Sequence, residues 1–473
     1  MGSFDQPFKQ APPDRVQDAP AVLSAQVGNM WRQGQSSGTA NDAVFSANRQ
    51  TGPLNENLPT LDLMPPPKES PAPPAPAAPG FGPGEAAIKA NNGLLHNFDH
   101  SNDDQSILSR ARQFFFGSEF YKNLDGSSPT AWDMGEVYDA TLSMHDPSIK
   151  HELKQVHTDL DKFWDPGSRG GKGAGHPGYD STHGLFSGDK FYDDNAWIGI
   201  ASLDEYKQTH NQSNLDRAKQ IFSLECYGAQ GTEKMAKPGG VLWTQNPDDT
   251  YRSTVSTAGA AQLALELYQQ TGDPTYKAFA IKQFDWVNDN LRAPNRADGS
   301  GGLYYDGMDK DGIIKEDGKD RDGKDRVGKD KDGKDKVNHT AEWTYNQGLM
   351  LGDATLLYQA TGDHKYLNDA QDIAKRSLQQ LHKQFNIADS SSVSAKRTFF
   401  NAVFFKNLML LDSVQPDPTY REALAKYSAD LAQKLDPHTA LVKFSDKGQL
   451  LGQASAVQIF ALARDNPPPS SNQ

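Results

Sequence analysis

Two acidic residues lie side by side at the start of an apolar stretch, in the segment FYDDNAWIGI at residues 191–200. Two like charges at the beginning of a buried helix are unfavourable, because both carboxylates lose hydration and repel each other. Asp193 and Asp194 can be explained as helix caps, since a helix N-terminus favours negative charge. They can equally be explained as reactive groups, and this stretch alone leaves both interpretations open.

The reaction that suits such a pair is cleavage of a glycosidic bond. It requires two carboxyl groups beside the anomeric carbon, one ionised and one protonated; a separation of about 5 Å implies retained configuration, and a wider gap implies inversion. Repulsion between Asp193 and Asp194 would separate their proton affinities in this way. Neighbouring residues of a helix point about 100° apart, so both can reach one sugar only at a helix start.

Three further segments combine aromatic and polar residues just before predicted helices: GGVLWT (239–244), GGLYYDG (301–307) and AEWTYNQG (341–348). Glycine allows a ligand to approach the backbone closely, and an aromatic ring presents a flat apolar face on which a sugar ring can stack. Each segment is also compatible with ordinary packing, but together with the acid pair they predict a carbohydrate cleft. The candidate substrate-binding residues are Tyr192, Trp243, Tyr305, Asp306, Trp343, Tyr345, Asn346 and Gln347.

The elements that must position these residues are helices. From about residue 104 onward, apolar residues recur at three- and four-residue spacings, and the alternation typical of strands is scarce. The predicted helices cover residues 105–121, 131–145, 150–165, 192–208, 213–226, 254–271, 275–292, 343–361, 365–384, 398–414, 418–435 and 452–464.

An internal repeat indicates how the helices are arranged. The segments LYQQTGDPTYKAFA (267–280) and LYQATGDHKYLNDA (357–370) are near copies. In each, glycine suits a left-handed helix end and the following aspartate suits the cap of the next helix. Helical hairpins of fixed period form either an open solenoid or a closed ring. Long loops rich in aromatic and acidic residues favour the ring, so we predict an all-α fold, an (α/α)6 barrel of six hairpins.

The predicted barrel occupies residues 101–466, between an N-terminal arm (1–100) and a short tail (467–473). The arm is rich in proline and is expected to be disordered. A charged insert at residues 309–336 contains repeated Asp-Gly pairs, which match only half of a calcium-binding loop. We favour a solvated loop there, with calcium binding as the alternative.

Composition limits the classes of partner. The chain has 473 residues and a net charge of −13, which argues against a nucleic-acid partner. No apolar run is long enough to span a membrane, and the N-terminus lacks the apolar core of a secretory signal. We therefore expect a monomer that is cytoplasmic or exported by a non-standard route. The single cysteine, Cys226, excludes an intrachain disulfide.

Five segments carry a resemblance to a known family. In chain order they are FYDDNAWIGIASLDEY, GGVLWT, YDG, TYNQGLMLGDATLLYQATGD and GQASAVQIFAL. They resemble family 76 of the glycoside hydrolases, the bacterial and fungal endo-α-1,6-mannanases, over roughly residues 105–465. The resemblance implies an (α/α)6 barrel, an α-mannan substrate, and cleavage of α-1,6 bonds within the chain by a retaining mechanism without a metal or other cofactor.

The family motif also implies roles for individual residues. Asp193 falls at the position of the nucleophile, Asp194 at that of the acid/base, and Asp306 at that of an acid contacting a bound mannose. Three alternatives remain open: another α-glycosidase or transglycosylase on this scaffold, a toroid that binds glycan or protein without turnover, and a sugar epimerase. The epimerase would need histidines as acid and base, and the loops supply only His176, His183 and His339, without a matching partner pattern.

Overall fold

The structure is a computed structural model. It describes residues 82–98, 121–124, 127–145, 150–167, 175–183, 188–246, 248–314, 341–388, 390–446 and 448–469. Three predictions therefore fall wholly or largely outside the described residues: the helix at 105–121, most of the charged insert with its calcium alternative, and the arm up to residue 81.

Helices dominate the described part of the chain. They are α1 (Pro83–Phe98), α2 (Ala131–Ser143), α3 (Lys150–Phe163), α4 (Tyr192–Thr209), α5 (Gln212–Gln230), α6 (Thr254–Thr271), α7 (Pro274–Leu291), α8 (Thr344–Thr361), α9 (His364–Gln380), α10 (His382–Phe385), α11 (Ala395–Val414), α12 (Pro418–Ala432) and α13 (Gln449–Asp465). The predicted helices within this part are all observed, with ends displaced by at most four residues, except that the one at 365–384 is interrupted at Leu381.

Six helices form a closed inner ring. Each packs against the next in the order α2, α4, α6, α8, α11 and α13, and α13 returns to α2. Six further helices cover this ring from outside: α3, α5, α7 and α9 pack on α2, α4, α6 and α8, α12 packs on α11 and α13, and α1 packs on α13. The prediction of an (α/α)6 barrel is confirmed.

The two rings differ in burial because their sequences differ. In α6, residues 254–267 are buried without interruption, and in α8 the same holds for residues 344–357. Burial on every side is expected for helices that are enclosed by neighbours. The outer helix α9 buries one face only, through Tyr366, Leu367, Ala370, Ile373, Ala374 and Ser377.

The repeated turns have the caps that the sequence predicts. Gly272 and Gly362 end α6 and α8 in the left-handed conformation, with φ of 70° and 72°. Asp273 and Asp363 then cap α7 and α9, each accepting a hydrogen bond from the backbone two residues later. These tight turns join each inner helix to the outer helix that follows. Inner helices consequently run parallel, and their N-terminal ends share one face of the barrel.

The boundary predicted at residue 100 is wrong for residues 83–98. These residues form α1, which buries Ala86, Ala87, Ala90, Gly93, Leu94 and Phe98. Gln453 of α13 donates a hydrogen bond to the carbonyl of Ala90 at 2.9 Å. The proline-rich composition of the preceding segment concealed a short amphipathic helix that supplies one of the outer positions.

Long loops and short strands gather at the N-terminal ends of the inner helices. Strand β1 (Trp164–Asp165) pairs antiparallel with β2 (Gly178–Tyr179), and β3 (Arg252–Ser253) pairs antiparallel with β4 (Gly307–Met308). The second pair ties the loop before α6 to the loop before α8. None of the described helices has the combination of length and apolar character needed to cross a bilayer.

Candidate active site

The acid pair lies in the first turn of α4, on the face where the loops converge. Asp193 is 8% exposed and Asp194 is 4% exposed. The cap residue is Phe191, in extended conformation and without a capping side chain. Neither aspartate therefore occupies the cap position, which weakens the explanation of the pair as a capping device. Among the described residues, neither carboxylate has a salt-bridge partner.

Backbone and side-chain contacts fix the beginning of α4. Asn195 accepts a hydrogen bond from the backbone N–H of Tyr179 at 2.7 Å and donates to the carbonyls of Tyr179 and Phe191 at 3.0 and 2.8 Å. The N–H of Tyr192 donates to the carbonyl of Trp243 at 3.0 Å. The start of α4 is thus attached to strand β2 on one side and to the Trp243 loop on the other.

The two carboxyl groups differ in their hydrogen bonds. Asp193 Oδ2 accepts from Trp243 Nε1 at 3.1 Å, and Asp193 Oδ1 accepts from the backbone N–H of Asp194 at 3.0 Å. Asp194 Oδ2 is buried and has no hydrogen-bond partner among the described residues. Hydrogen bonds from N–H groups favour an ionised carboxylate, so these contacts favour charge on Asp193.

Electrostatic effects also favour the charge on Asp193 and the proton on Asp194. Burial raises the pKa of Asp193 to about 7, against the opposing effect of its two hydrogen bonds, and the charge of Asp306 adds to the rise. Burial also raises the pKa of Asp194 well above its usual range, and the charge of Asp193 raises it further. Because Asp194 lacks compensating hydrogen bonds, the proton of the pair resides on Asp194.

A third carboxylate faces this pair from the loop before α8. Asp306 Oδ2 accepts from the hydroxyl of Tyr251 at 2.9 Å. Its Oδ1 accepts from the hydroxyl of Tyr345 at 3.1 Å and from Nδ2 of Asn346 at 2.9 Å. Burial raises the pKa of Asp306, while these three donors lower it. The carboxylate is 8% exposed and is held as a hydrogen-bond acceptor.

Aromatic rings surround the carboxylates. The ring of Trp243 meets that of Tyr251 edge-on at 6.2 Å. On α8 and α11, Tyr345 stacks on Phe400 with centroids 4.1 Å apart and planes 8° from parallel, and Trp343 lies 5.7 Å from Phe400. Trp343 and Phe400 are half-buried. Partly exposed rings beside oriented carboxylates suit recognition of a ligand with both hydroxyl groups and apolar faces.

Five of the predicted substrate-binding residues are thereby brought together with the acid pair: Trp243, Asp306, Trp343, Tyr345 and Asn346. Tyr305 precedes Asp306 and is half-buried, and its carbonyl accepts a hydrogen bond from Thr254 at 2.6 Å. Contact between Tyr305 and substrate stays a prediction.

Two other predicted substrate-binding residues are engaged in packing or hydrogen bonds away from solvent, and their contact with substrate also stays a prediction. Tyr192 is 1% exposed and packs between α4 and α5, where a Cβ at Gly228 would lie 2.5 Å from its ring. Gln347 is fully buried, and its amide exchanges two hydrogen bonds with the backbone of Tyr304 at 2.8 and 2.9 Å. Tyr192 stabilises the contact between α4 and α5, and Gln347 stabilises the loop that carries Asp306. Both residues thus support elements that carry site residues.

Sequence reasoning missed other residues of the site. Tyr251 orients Asp306, and Phe400 stacks on Tyr345. Asp133 and Glu136 of α2 are close enough for their charges to act on Asp194. Tyr251 follows an Asp-Asp pair in a loop, which was a usable signal. The three others lie within helices, where their types are ordinary, and only the ring closure brings them to the pair.

The loop histidines have other contacts. His176 stacks on Tyr227 with centroids 4.2 Å apart, and His183 packs edge-on against Phe163 at 4.7 Å. His339 lies outside the described residues. Across the described ranges, no group of three or more histidine, cysteine or acidic side chains is arranged to hold a metal ion.

Comparison with known proteins identifies relatives of this chain. The family model of glycosyl hydrolase family 76 matches residues 100–440. A curated relative, the mannan endo-1,6-alpha-mannosidase DCW1 of Candida glabrata, is 25% identical over 199 residues. That alignment covers 39% of this chain and 39% of the relative, so the chain spans well under half of that relative's length in the match.

Solved structures share the fold over most of the chain. A family 76 glycoside hydrolase (mannosidase) from Bacteroides thetaiotaomicron has a TM-score of 0.60 at 20% identity, covering 81% of this chain and 99% of the other. An inactive variant of an α-1,6-mannanase from Salegentibacter, in complex with α-1,6-mannotriose, has a TM-score of 0.55 at 18% identity, covering 80% and 98%.

Proposed function

Because this chain belongs to glycosyl hydrolase family 76, we propose that it hydrolyses α-1,6-mannosidic bonds within mannan chains and retains the anomeric configuration. The observation that carries this proposal is the asymmetry of two adjacent carboxyl groups. Asp193 has the hydrogen bonds that favour a carboxylate, and Asp194 has a buried oxygen without a partner. A retaining glycosidase requires one ionised and one protonated carboxyl group at the same sugar.

In the first step, Asp193 attacks the anomeric carbon while Asp194 donates its proton to the glycosidic oxygen. The bond from the anomeric carbon to the leaving oxygen breaks, and an ester forms between the sugar and Asp193. The leaving mannan chain departs with a new hydroxyl group. Attack neutralises Asp193, so one of the charges that raise the proton affinity of Asp194 disappears, and Asp194 becomes easier to ionise.

In the second step, the ionised Asp194 removes a proton from water, and the resulting oxygen attacks the anomeric carbon of the ester. The ester bond breaks, Asp193 is released as a carboxylate, and Asp194 again carries a proton. Two displacements at one carbon restore its original configuration. The indole N–H of Trp243 stabilises the carboxylate that leaves, because it lies 3.1 Å from Asp193 Oδ2.

Asp306 is assigned to substrate binding in this proposal. Its carboxylate is oriented by Tyr251, Tyr345 and Asn346 and remains able to accept a hydrogen bond from a sugar hydroxyl. The half-buried rings of Trp343 and Phe400 offer apolar surface for the faces of neighbouring sugars. A cleft with charged acceptors and stacking rings is suited to a neutral oligosaccharide.

Two relatives support the choice of substrate. The relative from Candida glabrata is named for endo-1,6-α-mannosidase action on mannan. The Salegentibacter α-1,6-mannanase is inactive in a variant whose two consecutive aspartates are replaced by asparagine, and that variant binds α-1,6-mannotriose. Asp193 and Asp194 are the consecutive aspartates of this chain at the corresponding family motif, so we assign them the same importance.

The test is hydrolysis of unbranched α-1,6-mannan by the wild type, Asp193→Asn and Asp194→Asn, with the first product's anomer read by proton NMR. We expect α-configured oligosaccharides from the wild type and a loss of at least about a thousandfold in both variants. Asp248→Asn is the matched control, since Asp248 belongs to another Asp-Asp pair but is exposed, and it should retain full activity.

Each other outcome selects a different function. A β-configured first product would contradict retention. Oligosaccharide transfer to an acceptor in place of release into water would favour a transglycosylase. Binding of mannan fragments by the wild type without any turnover would contradict the enzyme and favour a non-catalytic glycan-binding toroid.

A further inference from the structure

Two carboxyl groups of α2 stand beside Asp194. Helices α2 and α4 are neighbours in the inner ring and begin at the same face of the barrel. Asp133 is the third residue of α2 and Asp194 is the third residue of α4, so both lie at the same depth. Glu136 follows Asp133 by one helical turn and therefore lies on the same side of α2.

The two helices approach closely at this point. Gly135 lies between the two acids, and a Cβ there would come within 2.9 Å of Ile198 Cγ1. Ile198 follows Asp194 by one turn of α4. Glycine lets α2 approach α4 this closely, and Glu136 lines one cavity with Trp197, which lies one turn after Asp194. The charges of Asp133 and Glu136 therefore act on Asp194, and no positively charged group among the described residues offsets them.

Other parts of the molecule hold the two acids in place. Asp133 accepts hydrogen bonds from the N–H and the hydroxyl of Thr130 at 2.8 and 2.9 Å, as part of the capping box of α2. Glu136 is 4% exposed and accepts a hydrogen bond from Nε2 of Gln458 on α13 at 2.7 Å. Neither carboxyl group can rotate without losing these bonds.

A small cavity lies on the inner side of Glu136. Its volume is about 30 Å³, enough for a single water molecule, and Trp197, Gln262 and Gln458 are among its lining residues. Burial raises the pKa of Glu136 to about 8, and the neighbouring charge of Asp139 adds to this rise. Burial therefore favours the protonated form of Asp133, Glu136 and Asp194 in this part of the molecule.

We propose that Asp133 and Glu136 are positioning residues that retain the proton on Asp194 and so set the highest pH at which Asp194 acts as an acid. This inference rests on the proposed function of Asp194. Ionising Asp194 places a negative charge next to two other acids in a buried region, which is unfavourable. The N-terminal ends of α2 and α4 stabilise the ionised form of these carboxyl groups. This stabilisation is smaller than the combined destabilisation by burial and by repulsion between like charges.

Charged groups on the other packed elements act on Asp193 or on Glu136, and not directly on Asp194. The charge of the loop residue Asp306 raises the pKa of Asp193, and the charge of Asp193 raises the pKa of Glu225 on α5 and of Asp194. Lys406 of α11 pairs with Asp139 and Asp204 at 3.0 Å; it lines the same cavity as Glu136, and its charge lowers the pKa of Glu136 but not that of Asp194. Substitution of Asp133 or Glu136 should therefore change the proton affinity of Asp194 without directly changing that of the nucleophile, Asp193.

The test uses Asp133→Asn and Glu136→Gln in the full-length protein. Both replacements can still accept the hydrogen bonds from Thr130 and Gln458, so the fold should be preserved. Aspartate labelled with ¹³C at the carboxyl carbon reports titration, and the Asp194 signal is identified by its loss in Asp194→Asn. We expect each variant to lower the titration midpoint of Asp194 by about one pH unit.

Hydrolysis supplies a second readout. The alkaline limb of the kcat/KM profile should move to lower pH by a similar amount in both variants, while the acid limb stays in place. Asp430→Asn is the control, because it removes a buried carboxylate of the outer helix α12 that pairs with Lys426, and it should move neither limb.

An unchanged or raised midpoint for Asp194 in either variant overturns the role of that residue, even if the variant is less active. If the wild type does not hydrolyse mannan, the proposed function fails. The NMR titration of Asp194 needs no substrate, so it still decides whether the α2 acids retain its proton.

Discussion

At the scale of single residues, two chemically identical neighbours acquire different properties from their surroundings. Asp193 receives the Trp243 indole N–H and the backbone N–H of Asp194, whereas one oxygen of Asp194 is buried without a partner. Each hydrogen bond to a carboxylate lowers its proton affinity, and each nearby negative charge raises it. The difference between nucleophile and acid is thus produced by a small number of contacts that can be removed one at a time.

Trp243→Phe tests the contact that favours the charged form of Asp193. It removes the indole N–H and preserves most of the ring, so the pKa of Asp193, about 7 in the folded protein, should rise. Asp193 must be ionised to attack. The acid limb of the kcat/KM profile on α-1,6-mannan should therefore move to higher pH by about one unit.

Tyr251→Phe is the matched control for this substitution. It removes a hydroxyl group from the same aromatic cluster, but that hydroxyl binds Asp306 and not Asp193. An upward shift of the acid limb in Tyr251→Phe as large as that in Trp243→Phe would show that disturbance of the cluster, and not the lost hydrogen bond, is responsible.

At the scale of elements, the decisive feature is how α4 begins. Its first turn lacks a side-chain cap, and Asn195 instead ties it to strand β2 and to Phe191 with three hydrogen bonds. This attachment leaves the two aspartates uninvolved in capping and turned toward the loops. A capping side chain would also stabilise the helix start, but the hydrogen bonds to β2 additionally fix the position of α4 relative to the loops of the site.

Asn195→Ala should weaken both the fold and the site. Loss of the side-chain amide leaves buried backbone groups of Tyr179 without partners, which should cost about 2 kcal/mol in the free energy of unfolding. The acid pair would lose the hydrogen bonds that fix the start of α4, so kcat should fall at least about tenfold. Urea unfolding and mannan hydrolysis measure the two effects.

Gly362→Ala is the control for this experiment. Gly362 ends α8 with φ of 72°, at the face opposite the acid pair, and alanine there should cost about 1 kcal/mol. If Gly362→Ala reduced kcat as strongly as Asn195→Ala, lost stability alone would account for the lost activity, and the positioning argument for Asn195 would fail.

At the scale of the whole molecule, the outer ring is completed by a helix from the N-terminal side of the family region. The family match begins at residue 100, whereas α1 occupies Pro83–Phe98 and covers α13, the last inner helix. Without α1, the face of α13 that α1 covers would meet water.

Two truncations test this role of α1. Removal of residues 1–81 leaves every described helix intact and should preserve the melting temperature and hydrolysis of mannan. Removal of residues 1–98 also deletes the six buried residues of α1 and should lower the melting temperature markedly, because the corresponding surface of α13 becomes exposed. Equal melting temperatures for the two truncated proteins would contradict the role.

Much of the architecture was predictable because it depends on short-range patterns. Helical periodicity, the repeated Thr-Gly-Asp turns and the position of Asp193 and Asp194 at a helix start all involve residues close in sequence. Local geometry of this kind is read correctly without knowledge of the rest of the chain. Helix α1 was not predicted, because the segment that precedes it is rich in proline.

Patterns in the sequence predicted the helical hairpins and the acid pair and favoured a closed ring over an open solenoid, whereas the side chains that surround the pair depend on tertiary contacts. Tyr192 and Gln347 lie next to site residues in sequence but face the packing between elements, whereas Tyr251 and Phe400 come from distant segments. The physical reason is that a side chain's direction depends on the rotation of its helix against several neighbours. That rotation is set by contacts between residues far apart in the chain, summed over the whole ring.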